Sequence, residues 1–575
     1  MKRYWKYIRP YIQYYILGPC FMMMEVVGDV LLPYMLAKII NQGIAERNVV
    51  YIIKIGVIMG FIAVIMAVGG VLGAWFASKA AMNFGADLRM DLFEKIQQFS
   101  FQNIDNFSTG SLITRLTNDI TQIQNMIMMT LRMCLRSPGI LIGAMVMAFV
   151  ISPKLAAIFI IVLPVLAVLI AVIMRRAFPQ FRTLQEKLDA LNSCIQEGLV
   201  GIRLIKSFVR GDYEEMRFEK RNQQLKEANL TAMKTMLLYT PLMTLALNIT
   251  TVVVVWSGGN MIVAGNMQVG DLTAFTNYIV QIMSSLTMLS IAFLNWARAI
   301  ASFRRVGEVL DEKIDLTDEN AKHKDRAVCE GSVEFQNVSF RYYKNSPEWV
   351  IENISFKLEA GKTLGIIGST GSGKSTLVSM IPRLYDTDEG TVLVEGINVR
   401  DYGLKPLREG IGMVLQNNTL FSGSITENLK WGDEHADEKA VRKAAQNAQA
   451  AGFIDSFKDG YRTRLEQSGN NVSGGQKQRL CIARALLKCP KILILDDSTS
   501  AVDTATERAI REALHSEYKD MTKIIIAQRI RSVMDADEIL VLDNGKTAGF
   551  GTHEQLLADC PVYREIYDVQ NGREE

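Results

Sequence analysis

From the N-terminus to about residue 300 the chain runs in long uncharged stretches of Ile, Val, Leu, Met, Ala and Phe, and after that short apolar runs alternate with charged, Gly-punctuated segments. A helix that crosses a bilayer needs about 20 mostly apolar residues. Six stretches meet or approach that length, near 13–40, 51–77, 132–151, 155–175, 237–264 and 271–296. An even number of crossings returns the chain to its starting side, so the polar second half shares a compartment with Lys2, Arg3, Lys6 and Arg9. The positive-inside rule makes that side the cytoplasm. The expected outer loops agree, because Arg47 and Lys154 stand nearly alone there and Gly259–Gly270 contains no Lys or Arg. Two polar segments, about 78–131 and 176–236, keep a helical period in DLRMDLFEKIQQF and RFEKRNQQLKEANL. They are expected to be helices continuing out of the membrane, with turns at Asn106–Gly110 and Arg210–Tyr213.

The pattern changes after a polar linker near Asp311–Arg326, where the strand-like run SVEFQNVSF opens a soluble domain. The expected architecture is an all-α transmembrane domain of six spans over 1–310, a linker over 311–330, and an α/β domain over 331–575. The mean hydropathy of +0.13 is then an average of two unlike halves. A formal net charge of +3, with no basic stripe interleaved with aromatics, argues against a nucleic-acid partner. Seven scattered cysteines show no CxxC pair and read as free thiols. The N-terminal MKRYWKYIRPY is basic and aromatic without a small-residue cleavage site, so it reads as an interfacial anchor.

Within the first span, Glu25 and Asp29 lie four residues apart, on one helix face. Each costs about 2.5–3.5 kcal/mol at mid-membrane, so they are expected to face a cavity or a partner helix. Two readings stay open: a substrate path, or pairing with a basic group on another span. The 28 methionines, among them Met22–Met24, Met126, Met128 and Met129, suit either an adaptable apolar binding surface or ordinary packing.

The soluble half carries phosphate chemistry. In TLGIIGSTGSGKST an apolar strand runs into Gly368, Ser369, Thr370, Gly371, Ser372, Gly373, Lys374 and Ser375, the P-loop spacing in its strand-loop-helix setting. Glycines let the backbone wrap phosphate, Lys374 reaches the outer phosphates, and the Ser375 hydroxyl can ligate Mg²⁺. The strand KILILDD ends at Asp496, a carboxylate placed to hold the same ion. Between them Ser473, Gly474, Gly475 and Gln476 open a second helix suited to anions. One phosphate site does not need two such cradles from one chain, so the second is expected to serve a nucleotide held by another subunit.

These residues resemble the ABC transporter family, and more narrowly its half-size exporters. The resemblance implies ATP and Mg²⁺ as ligands, with Tyr342 stacking on adenine, Gly368–Thr376 as the Walker A loop and Gln416 as the Q-loop glutamine. It implies Val472–Gln476 as the signature, Asp496 as the end of Walker B and Ser500–Asp503 as the D-loop. Two such domains pair head to tail in that family, and the tips near Ile104–Gly110 and Val209–Tyr213 would couple them to the membrane half. Two positions depart from the pattern. The family's catalytic glutamate is Asp497 here, and its switch histidine is Gln528; Gln467 also stands where a glutamate is common. Asp is one methylene short, and a misplacement of about 1 Å can cost on the order of a hundredfold in rate. Glutamine cannot carry the positive charge available to histidine.

The expectation is therefore one subunit of a heterodimeric exporter in the plasma membrane, with its ATP-binding domain and N-terminus cytoplasmic, moving amphipathic drugs or lipids. This chain would bind ATP at a degenerate site and lend its signature to a different partner chain. The alternatives are a homodimer with two slow sites and an ATP-gated channel or regulatory subunit.

Overall fold

A computed structural model describes residues 2–344, 346–498 and 501–572. Its contacts divide the chain into two compact units, one of Met1–Ile96 with Gly110–Asp311 and one of Gln97–Thr109 with Glu312–Glu575.

The first unit is helical throughout. Five helical runs among the described residues are long and apolar enough to cross a membrane: Trp5–Ile44, Val49–Gln97, Thr109–Ile151, Pro153–Val200 and Gly211–Val263. The sixth apolar stretch of the sequence lies on Val269–Asp311, one 43-residue helix. Helices of 49 and 48 residues reach about 70 Å at 1.5 Å per residue, more than twice a bilayer's hydrocarbon core. The polar segments are thus continuations of the spans, as their periodicity predicts. Small buried residues such as Ala144, Ala148 and Ala156 let helices approach closely. Tyr278, fully buried, donates its hydroxyl to the Val30 carbonyl at 2.8 Å.

Three sequence expectations take a different form here. The break expected at Arg210–Tyr213 starts two residues earlier, at Phe208–Arg210, because Gly211, Asp212 and Tyr213 already form the start of the helix Gly211–Leu237, with Asp212 and Glu214 in its first turn. The basic, aromatic N-terminus packs on protein: Tyr7 is buried, its hydroxyl donates to Asp91 at 2.9 Å, and the Tyr4 hydroxyl donates to the Phe303 carbonyl at 3.1 Å. The segment Gln97–Thr109 packs with the soluble half. Its short helix Phe101–Asp105 is held by a capping box between Ser100 and Asn103.

The second unit is built on sheets. The smaller is antiparallel, in the order β2 (Ile351–Leu358), β1 (Val333–Phe340), β4 (Glu389–Val394), β5 (Ile397–Asn398). The larger runs β12 (Lys546–Gly551), β11 (Glu538–Asp543), β3 (Thr363–Gly368), β10 (Thr522–Ile526), β9 (Ile492–Asp496), β6 (Ile411–Val414) and is parallel except for β12. A two-stranded pair, β7 (Gly423–Ser424) with β8 (Arg464–Leu465), completes the set. Parallel strands are covered on both faces and so read as unbroken apolar runs, as in TLGIIG, TKIII and ILILD. One core lies where Leu364, Ile366, Ile494 and Ile526 meet the small sheet, and the other where Leu493 and Leu495 meet the helix Gly474–Leu487.

Candidate nucleotide site

Open parallel sheets bind ligands beyond the carboxyl ends of their strands. Here the ends of β3, β9 and β10 converge on a cleft of about 320 Å³ lined by Tyr342, Thr370–Thr376, Gln416, Asp496, Asp497 and Gln528, together with Val350 and Ile526. The loop after β3 can take its shape only with glycine at two points. A Cβ on Gly368 would lie 2.1 Å from the Leu542 carbonyl oxygen, and one on Gly373, at φ +90°, would lie 2.6 Å from Ile351 Cγ2. Gly368 and Ser369 stand behind the lining and accept hydrogen bonds from Lys374 Nζ at 2.8 and 2.7 Å. The ammonium is thereby held across its own loop, and burial lowers its pKa from the ordinary lysine value against the pull of Asp497 and Asp496.

At the end of β9, Ser375 Oγ donates to Asp496 Oδ1 at 2.9 Å. Asp496 is buried; desolvation and the neighbouring Asp497 hold its pKa above the usual carboxylate range, opposed by the Ser375 bond. A buried carboxylate beside a hydroxyl, with the Gln416 amide lining the same cleft, is a set of hard oxygen donors that fits Mg²⁺. Among the described residues no group of three or more His, Cys, Asp or Glu could hold a metal ion.

Asp497 follows with a left-handed backbone, φ +48°. Its Oδ2 accepts from Gln528 Nε2 at 2.8 Å. Burial raises its pKa, and hydrogen bonds from Gln528 and Gln416 with the charge of Lys374 oppose the rise. The two positions that depart from the family pattern thus touch each other.

Tyr342 donates to or accepts from Thr376 Oγ1 at 2.8 Å and meets Tyr385 edge to face at 5.4 Å. Tyr385 in turn donates to Asp105 at 3.0 Å and lies 5.9 Å from the Phe101 ring. A line of contacts therefore runs from the Walker A loop to the helix Phe101–Asp105. Ser100 and Asn103 fix that helix further through Asp315, at 3.2 and 3.1 Å.

The signature residues stand elsewhere. Ser473 caps the helix Gly474–Leu487 through a reciprocal pair with Gln476, and none of Ser473, Gly474, Gly475 and Gln476 lines the nucleotide cleft. Of the expected D-loop, Ser500 lies outside the described residues, and Asp503 caps the helix Thr504–Glu517. In the first unit, Arg136 reaches both acids of the first span, Glu25 at 2.8 Å and Asp29 at 3.4 Å. Met22 and Met24 approach Gly73 and Gly69, one turn apart on the helix Val49–Gln97, while Met23 approaches Gly139 on the helix Arg136–Ile151.

Sequence reasoning did not reach Gln570. Its side-chain amide donates to the Gln528 carbonyl and accepts from the Ile530 amide, both at 2.8 Å. Nothing local marks that residue, which lies about 40 positions along the chain from its partners. Tyr385, Val350 and Ile526 were unmarked for the same reason.

Known proteins share this plan. The transmembrane region of ABC transporters matches residues 15–286, and the ABC transporter domain matches residues 351–500. Similar chains in Bacillus subtilis (strain 168) include the ABC transporter ATP-binding proteins YfiB, 39% identical over 100% of this chain and 99% of its own, and YknU, 35% identical over 99% and 97%. A third, YfiC, is 31% identical over 99% and 94%. Among solved structures, that of a bacterial Atm1-family ABC exporter with ATP bound superposes at a TM-score of 0.81 with 24% identity, covering 98% of each chain.

Proposed function

The chain belongs to the ABC transporter family as a half-size, ATP-driven exporter, and from that premise we propose that it is the slow-site subunit of a heterodimer. The observation that carries this reading is the Asp497–Gln528 hydrogen bond of 2.8 Å inside the nucleotide cleft. A general base has to reach the attacking water. Here the carboxylate is short by one methylene and engaged by a neutral amide that brings no positive charge to the γ-phosphate.

ATP sits against the Walker A loop, with Lys374 turning from its own carbonyls to the outer phosphates and Tyr342 at the adenine. Ser375, Asp496 and Gln416 would hold Mg²⁺, which would supply neutralisation of charge on the phosphate oxygens. The chain's own residues bind and orient the nucleotide well and activate water poorly. Its signature, VSGGQ, keeps the phosphate-facing Ser473, Gly474 and Gly475 and completes the faster site of a partner that carries the missing glutamate and histidine. Two further observations support a second half. The tip at Leu199–Val209 is strongly apolar yet exposed, with Val200 at 82% and Val209 at 88%, a surface that partners commonly cover. One organism also holds at least three distinct half-size chains similar to this one, so unlike pairs are available.

The transported compounds are amphipathic drugs or lipids leaving the cytoplasm or inner leaflet of the plasma membrane. Among the described residues the two carboxylates of Glu25 and Asp29 share one guanidinium, Arg136, an anionic excess that favours cationic amphiphiles. The test is ATPase activity of the purified chain alone and with candidate partners. Turnover confined to the mixed pair supports the reading. Brisk turnover by the isolated chain that disappears in Asp497→Asn overturns it.

A further inference from the structure

A second cleft in the soluble unit, of about 650 Å³, opens beside β10 between the helix Thr504–Glu517 and the segment Arg531–Ala536. Its floor carries Lys523, in the interior of the parallel sheet between Thr363 of β3 and Leu493 of β9, a place normally given to apolar side chains. Lys523 is 5% exposed. Among the described residues its ammonium makes no hydrogen bond or ion pair; the charges of Asp537 and Asp520 act on it from farther off, and Asp537 is already taken up by Lys362 and the Thr363 amide at 2.8 Å each. One wall presents Arg511, whose Nη1 donates to the Arg531 carbonyl at 2.5 Å while its Nε, among the described residues, is buried without a partner, and His515 one turn further along the same face. The opposite wall presents Arg531. The two acids that line the cleft are already engaged, Glu512 by Arg508 at 2.9 Å and Asp535 by Arg511 at 3.4 Å.

We propose that this cleft is a binding site for a small soluble organic phosphate, separate from the nucleotide site. Among the described residues the Lys523 ammonium, at the end of an otherwise buried side chain, has no hydrogen-bond partner, and it lines the cleft with the guanidinium groups of Arg511 and Arg531 and the His515 imidazole, donors that suit the acceptor oxygens of a phosphate group. The remaining wall is apolar, through Ile525 and Met534, so the ligand carries an apolar or aromatic body, and the volume lies in the range of small-molecule sites. A phosphate held there ties the helix Thr504–Glu517 to the segment that follows Gln528, a residue of the nucleotide cleft.

Pyridoxal phosphate is a direct probe. Its aldehyde condenses with an uncharged lysine amine, releasing water, and borohydride reduces the imine to a stable amine that peptide mapping locates. With saturating MgATP present to shield Lys374, the full chain in detergent is expected to show saturable labelling of Lys523, blocked by millimolar inorganic phosphate. Arg511→Gln, checked for folding by its retained MgATP binding, should raise the half-saturating concentration at least tenfold. In parallel, pyridoxal phosphate without borohydride should raise the melting temperature of the wild type and not of Lys523→Met. Labelling of Lys523 that is no faster than that of exposed lysines, that phosphate does not block, or that only a second protein chain blocks would overturn the proposal, the last by placing a polypeptide in the cleft. A normal melting shift in Lys523→Met would overturn it as well.

Discussion

Asp497 reaches Gln528 from a left-handed backbone that a non-glycine residue adopts at a cost, and the bond engages the carboxylate that would otherwise meet water. Lengthening the acid and restoring a chargeable ring should speed the chemistry. The double variant Asp497→Glu with Gln528→His is expected to raise hydrolysis at this site by roughly tenfold to a hundredfold, measured as phosphate release in the assembled pair, whereas Asp497→Asn should change it little. Asp496 makes a different prediction through its raised pKa. A carboxyl whose charged form is disfavoured in the fold binds more protons folded than unfolded, so stability falls as pH rises from the ordinary carboxylate range through the raised value. Asp496→Asn removes that charge and keeps an acceptor for Ser375. Without nucleotide it should therefore melt at or above the wild type near neutral pH, the gap closing in acid, and it should lose the upward shift that MgATP gives the wild type. A lower melting temperature at neutral pH with the MgATP shift intact would contradict the assignment.

Elements carry the constraints that single motifs do not reveal. The helix Pro561–Asn571 places Gln570 on both sides of the switch segment, at Gln528 and Ile530. Gln570→Ala should speed amide hydrogen exchange over 528–532 several-fold while MgATP affinity stays within about threefold. The helix Phe101–Asp105 meets the nucleotide domain through Tyr385. Tyr385→Phe removes one hydrogen bond to a carboxylate, about 1.5–3 kcal/mol at most, and should diminish stimulation of ATPase by transported compounds while sparing the basal rate. The Walker A loop and the ends of β3 and β9 were legible because the chemistry demands residue types at fixed local spacing, and the spans because lipid tolerates only long apolar helices. Gln570, Tyr385 and Lys523 were not, since each acquires meaning only from a neighbour distant in sequence. Lys523 sits in TKIII, where a lone lysine on a strand reads as solvent-facing. Gly211 misled in the opposite direction, because a glycine that marks a turn by composition here begins a helix.

For the whole molecule, the proposed function separates two tasks: Lys374, Ser375 and Asp496 line a cleft that would hold ATP, and Ser473–Gln476 stand apart from it, outside that cleft's lining. A half built this way is useful to a different chain whose nucleotide it can complete. In a homodimer both composite sites would carry the Asp497–Gln528 pair and both would be slow. The most direct measurement is a single turnover of the reconstituted pair with photoactivatable, α-labelled ATP, followed by cross-linking and identification of the nucleotide on each chain. The account predicts intact ATP retained on this chain and ADP on its partner after one cycle. ADP appearing on this chain as fast as on the partner would contradict it.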